Sequence, residues 1–142
     1  MSDEQALLEL LAARDLGVLA TVKRDGRPQL SNVVYAYDPR RRLIRVSVTA
    51  ERAKTRNLAR DPRASLHTMS ADGRAWVVAE GTAELTPVAG AADDAAMAEL
   101  IDLYRSLRGE HPDWDEYRAA MIADRRLVVR LPVERVYGRA GT

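Results

Sequence analysis

In the run Ser47-Val48-Thr49-Ala50-Glu51-Arg52-Ala53-Lys54-Thr55-Arg56 the hydroxyls of Ser47 and Thr49 are closely followed by three cations. A strand ending near Thr49 and a helix starting near Glu51 would gather Ser47, Thr49, Arg52, Lys54 and Arg56 around a helix N-terminus. Such an end carries unpaired N–H groups and a partial positive charge. Hydroxyls and cations added there make a phosphate cradle. The same spacing also suits a basic helix face turned to water. Gln29, Ser31 and Asn32 follow an Asp25-Gly26 turn, and their donors and acceptors match either the edge of a heterocycle or backbone groups at a sheet rim. Trp76 opens a later strand, positioned to stack on a flat ligand or to cover the mouth of a barrel.

Other chemistries find little support. The chain has no Cys, which excludes disulfides, thiolate metal sites and a Cys nucleophile. His67 and His111 are far apart, and neither reads as a metal ligand. No nucleophile–base pair, Walker loop or G-x-S-x-G elbow is present. An enzyme with this inventory relies on a bound cofactor, and no catalytic residue stands out.

At 142 residues, 46% hydrophobic and 30% charged, the chain is expected to form one cofactor-binding domain over residues 1–142. A net charge of +1 argues against general nucleic-acid binding. No apolar run is long enough for a membrane span, and the acidic Met1-Ser2-Asp3-Glu4 start is unlike a secretory signal, so the expected location is cytoplasmic. Charge is unevenly spread. Residues 23–63 hold twelve Lys and Arg against four acids, whereas residues 84–124 hold ten acids against three Arg. This asymmetry fits a local anion site, and equally two segments that pair with each other.

The elements that must position these residues follow from periodicity and turn chemistry. A helix is predicted over Ser2–Arg14, with Ser2 and Gln5 as a capping box. Strands are predicted over Leu16–Val22, Arg27–Tyr37 and Leu43–Thr49, the last with a polar Arg45/Ser47/Thr49 face of the kind usually left to solvent. A helix over residues 51–61, capped by Thr49 or Glu51, stops at Pro62. Strands over Ala64–Met69 and Trp76–Leu85 precede two helices, the second starting with an Asp113/Glu116 capping box. A last strand, Arg126–Tyr137, contains Pro132, which implies a bulge or an edge. Six hairpin-joined strands with inserted helices imply a mostly β, α+β antiparallel barrel.

The runs Gly17-Val18-Leu19-Ala20-Thr21 and Asp25-Gly26-Arg27-Pro28-Gln29-Leu30-Ser31-Asn32-Val33 resemble the opening hairpin of the pyridoxamine 5′-phosphate oxidase-like split barrels. The helix Arg52-Ala53-Lys54-Thr55-Arg56-Asn57-Leu58, the run Ala79-Glu80-Gly81-Thr82-Ala83-Glu84-Leu85 and the closing Val136-Tyr137-Gly138 extend the resemblance over about residues 5 to 138. It is nearest to the actinobacterial branch that uses the deazaflavin coenzyme F420. The resemblance implies a six-stranded antiparallel split β-barrel, FMN-binding-like, forming a homodimer with cofactor sites between subunits. It implies that Arg52 and Lys54 hold the cofactor phosphate, with Ser47 and Thr49 adding hydroxyls and Arg56 or Arg60 nearby. Gln29, Ser31 and Asn32 would line the ring and ribityl region, with Trp76 beside them. The implied activity is hydride transfer from reduced F420 to an electron-poor small molecule. The alternatives are an FMN oxidase or reductase of the same fold, or a non-catalytic flavin or deazaflavin carrier.

Overall fold

The Asp25-Gly26 turn joins β1 (Leu16–Val22) to β2 (Pro28–Val34), which pair antiparallel with Val22 opposite Pro28. Gly26 takes the positive φ, 88°, that this tight turn requires. The computed structural model describes residues 3–141. The chain continues through β3 (Ala36–Asp38), β4 (Leu43–Thr49), β5 (Arg63–Met69), β6 (Trp76–Thr82), β7 (Glu84–Leu85), β8 (Arg126–Pro132) and β9 (Arg135–Arg139). Four helices accompany them: α1 (Asp3–Ala13), α2 (Ala53–Arg60), α3 (Ala95–Arg108) and α4 (Trp114–Ala123). The predicted Ser2 cap lies outside the described residues. No helix among those residues is long and apolar enough to cross a membrane.

The strands form two antiparallel sheets, β2-β1-β5-β6-β9 and β3-β4-β8-β7. This corrects the expectation of a six-stranded barrel, because three of the six predicted strands are each two strands. The segment 27–37 divides into β2 and β3, 76–85 into β6 and β7, and 126–137 into β8 and β9, and each pair contributes to both sheets. At the breaks the backbone bonds sideways. The N–H groups of Tyr35, Ala83 and Val133 donate to the carbonyls of Asp15, Pro62 and Arg42. All three side chains are buried, and the alternating pattern runs on through the first two bends, whereas past Val133 the inward face shifts to Val136. Pro132, which lacks an N–H, ends β8 at one of these breaks. Gly81 lies so close to the Pro132 carbonyl that a Cβ there would clash, which explains a glycine where the two sheets meet.

The main core lies between the sheets. Leu19, Ile44, Val48, Leu66, Val77 and Leu131 fill it, closed by Leu7 and Leu11 of α1 and Leu58 of α2. The buried Tyr35 hydroxyl donates to the Leu11 carbonyl at 2.6 Å and anchors α1. A second core packs Met97, Leu100, Leu103 and Tyr117 of α3 and α4 against Val128. These helices therefore cover the face of β4 that was expected to meet solvent. Arg45 on that face is buried, 4% exposed, and ion-pairs with Asp102 of α3 at 2.9 Å.

Candidate functional site

A cavity of about 660 Å³ opens where β2, β4 and the start of α2 face α3 and α4. Its polar side is made by Asn32, Ser47, Thr49, Arg52, Lys54 and Arg126. Leu103, Tyr104, Leu107, Tyr117 and Met121 form the apolar wall. The predicted hydroxyl-and-cation motif is thus brought together, and Asn32 joins it from the neighbouring sheet. The N-cap of α2 is Arg52, with extended backbone and no side-chain hydrogen bond. This corrects the expectation that Thr49 or Glu51 caps the helix. Thr55 is turned back instead, its hydroxyl donating to the Thr49 carbonyl at 2.8 Å. The first amides of α2 therefore lack a side-chain acceptor, the arrangement that favours an anion.

The electrostatics agree. The Lys54 ammonium is held below the usual lysine pKa of 10.5, first by burial and then by the nearby charges of Arg52 and Arg126. Neither Arg52 nor Lys54 has a carboxylate partner among the described residues. Three like charges are gathered at an open helix end, and an anion would relieve them all. Arg126 was not singled out from the sequence. It stands directly opposite Thr49 in the β4–β8 pairing, a neighbour supplied by a strand far along the chain. Its Nη1 lies 3.4 Å from the Ser47 carbonyl, and its buried Nε has no hydrogen-bond partner.

The remaining predicted residues lie elsewhere. A relay of hydrogen bonds runs from Arg60 to Asn57 (3.2 Å), Asn57 to Thr21 (3.1 Å), Thr21 to Gln29 (3.0 Å) and Gln29 to Ser31 (2.8 Å). Arg60 also donates to the Val22 carbonyl at 2.7 Å. Gln29, Ser31 and Arg60 thereby dock α2 onto β1 and β2. Arg56 lines a separate open groove on the far side of α2, with Lys23, Arg24 and Arg60. Trp76 lies outside the cavity, between His67 and Tyr137, with ring centroids 6.1 Å from each. Neither His67 nor His111 lines the cavity.

Comparison with known proteins places this geometry in a family. A model of the pyridoxamine 5′-phosphate oxidase family matches residues 3–140, and the chain belongs to that family. An F420H2-dependent biliverdin reductase of Mycobacterium tuberculosis (strain CDC 1551 / Oshkosh) is 29% identical over 133 residues, covering 94% of this chain and 85% of the relative. Among solved structures, an F420 reductase superposes with a TM-score of 0.69 at 24% identity, over 91% of this chain and 94% of its own. A heme binding protein from Mycobacterium smegmatis gives a TM-score of 0.73 at 23% identity, over 99% of this chain and 55% of its own. These two structural likenesses establish the fold.

Proposed function

We propose that this protein is an oxidoreductase that binds reduced coenzyme F420 and passes its hydride to an electron-poor small molecule. The observation that carries the reading is the convergence of Arg52, Lys54 and Arg126 on the uncapped start of α2, beside an apolar, aromatic-walled cavity. The F420H2-dependent activity of the 29%-identical relative supports F420 over FMN. Arg52, Lys54 and Arg126 would hold the cofactor phosphate, and the Ser47 and Thr49 hydroxyls would add bonds to its oxygens. Asn32 would meet the polar edge of the ring or ribityl chain. Bound F420 in its reduced form supplies the hydride. The chain contributes orientation and, through Leu103, Leu107 and Met121, a wall that excludes water.

The cofactor site is proposed to lie at a homodimer interface. The outer face of the five-stranded sheet exposes Leu16, Leu30, Val34, Met69 and Tyr137, an apolar surface suited to a second copy. Val34 belongs to that surface and also lines the cavity. A partner covering the sheet would thus complete the cavity rim. Trp76 would contribute to this contact, and Gln29, Ser31, Arg56 and Arg60 would support the site through α2.

The test is a fluorescence titration of the cofactor-free protein with F420 and, in parallel, with FMN. Saturable F420 binding with much weaker FMN binding is the expected result. A preference for FMN overturns the cofactor assignment, and binding of neither overturns the oxidoreductase reading.

A further inference from the structure

We propose that Lys54 is a site of covalent acylation: the cavity takes an acyl phosphate, the cations beside Lys54 hold its phosphate, and the Lys54 amine accepts its acyl group. The reaction needs no bound cofactor. Only its consequence for F420 rests on the oxidoreductase reading.

The type of residue in this position carries the inference. Of the 22 cationic side chains, Lys23 and Lys54 alone are lysines. A phosphate is gripped at least as well by Arg, whose planar guanidinium meets two oxygens at once. Arg keeps its proton and is no nucleophile, whereas a lysine among apolar groups or beside another cation becomes one. Lys54 is half-buried in the first turn of α2 and lines the cavity together with Arg52 and Arg126. Its ammonium has no hydrogen-bond acceptor among the described residues. Glu51, the nearest acid in the chain, is paired with Arg125, and no Asp or Glu lines the cavity. Arg126 is partly engaged, its Nε 3.8 Å from the Asp124 carboxylate, while Arg52 has no carboxylate partner among the described residues. Little therefore holds the proton on Lys54, in keeping with its lowered pKa.

An acyl phosphate matches this arrangement at both ends. Arg52, Arg126 and the hydroxyls of Ser47 and Thr49 face its phosphate, and Leu107 and Met121 face its acyl chain. The carbonyl carbon is one bridging oxygen away from phosphorus, so a phosphate bound beside Lys54 brings that carbon to the amine. The neutral Nζ attacks the carbon, an N–C bond forms and the C–O bond to phosphate breaks. Inorganic phosphate leaves, the proton released from Nζ passes to it, and nothing is oxidised or reduced. The product amide carries no charge. Acylation thus removes one cation from the cradle and weakens the hold on the cofactor phosphate. Lys23 is a built-in reference. It is exposed and lies outside the cavity, in the groove with Arg24, Arg56 and Arg60, so cations alone surround it too.

The experiment treats the cofactor-free protein with acetyl phosphate and follows both lysines in the same sample by peptide mass spectrometry. Lys54 is expected to be acetylated about tenfold faster than Lys23 or more, the factor that one charge-assisted contact supplies. Inorganic phosphate should suppress the difference, and acetic anhydride, which carries no phosphate, should not reproduce it. Arg52→Ala should slow Lys54 and not Lys23. Equal rates at the two lysines overturn the proposal. So does a preference that is as large with acetic anhydride and indifferent to phosphate, because Lys54 would then be a reactive amine without an acyl-phosphate site. Protein acetylated at Lys54 should bind F420 about tenfold more weakly or worse. If the unmodified protein fails to bind F420 while the phosphate-sensitive preference holds, the cofactor reading falls and the acylation site stands. If F420 binds and the preference is absent, the acylation site falls alone.

Discussion

Replacing Lys54 separates a ligand-binding role from a structural one, because the two give opposite signs. In the free protein the Lys54 ammonium is disfavoured by burial and by Arg52 and Arg126, and its pKa is lowered from 10.5. The unfolded chain therefore holds this proton more tightly than the folded one. Stability should then rise with pH across the interval between the lowered folded-state pKa and 10.5. Lys54→Met keeps most of the apolar stem, removes the charge and should abolish that rise. At neutral pH the variant should be at least as stable as the parent. Anion binding should suffer instead. A charge-assisted hydrogen bond contributes about 1.5–3 kcal/mol, so F420 affinity should fall about ten- to a hundredfold. Urea unfolding over a pH series, paired with fluorescence titration of F420, reads both quantities. A variant destabilised by more than about 1 kcal/mol with unaltered affinity would refute the reasoning, since Lys54 would then be part of the fold rather than of the cradle.

Arg126→Ala should weaken F420 binding by about tenfold, the low end for a charged contact because its Nη1 is shared with the Ser47 carbonyl; calorimetric titration checks this, and an unchanged affinity would remove Arg126 from the site. Arg45→Met should cost about 3 kcal/mol in urea unfolding, the low end for breaking a buried pair, because Glu99 keeps Arg130 at 3.2 Å and Asp102 is exposed. Leu30→Asp puts a charge on the exposed apolar sheet face, at its most exposed large residue, and should yield a monomer in sedimentation velocity at micromolar concentration; a dimer that persists would place the interface elsewhere.

The motif residues Ser47, Thr49, Arg52 and Lys54 were legible because they lie within a single strand-to-helix junction, where local spacing fixes geometry. The positions of β1 and β4 were legible for the same kind of reason, as periodicity and turn residues are local signals. The divided strands were not. Tyr35 and Ala83 keep the inward alternation of a straight strand while the backbone passes from one sheet to the other, so no side-chain pattern marks those two bends; only the third is signalled, by Pro132 and by the shift of the inward face to Val136. Arg126 was hidden by register, because its pairing with Thr49 depends on how two distant strands align. Gln29 and Ser31 carry the right chemistry for a ligand, yet Thr21, Asn57 and Arg60 use that chemistry to fasten α2. The Asp113/Glu116 box was half legible. Asp113 accepts from the Glu116 amide as expected, but the Asp113 amide donates to His111 Nδ1 rather than to a returning Glu116 carboxylate.

The unequal charge of the two halves is used in part for pairing. Arg45 from the basic segment meets Asp102 and Glu99 from the acidic one, and Arg130 meets Glu84 and Glu99. The contacts of Glu99 and Asp102 hold α3 across the four-stranded sheet. The helix then lies with its acids toward that sheet or toward solvent, and it shows the cavity Leu103, Tyr104, Leu107 and Arg108. An acidic segment thus builds an apolar wall with a single cation. No carboxylate of the segment lines the cavity, and Arg52 and Lys54 have no carboxylate partner among the described residues, whereas the Arg126 Nε lies 3.8 Å from the Asp124 carboxylate. The ion pairs that fasten the helix and the cationic side of the cavity beneath it are two consequences of one arrangement. Weakening the docking, as in Arg45→Met, should therefore also loosen the cavity wall while leaving Arg126 on β8 and the start of α2 in place.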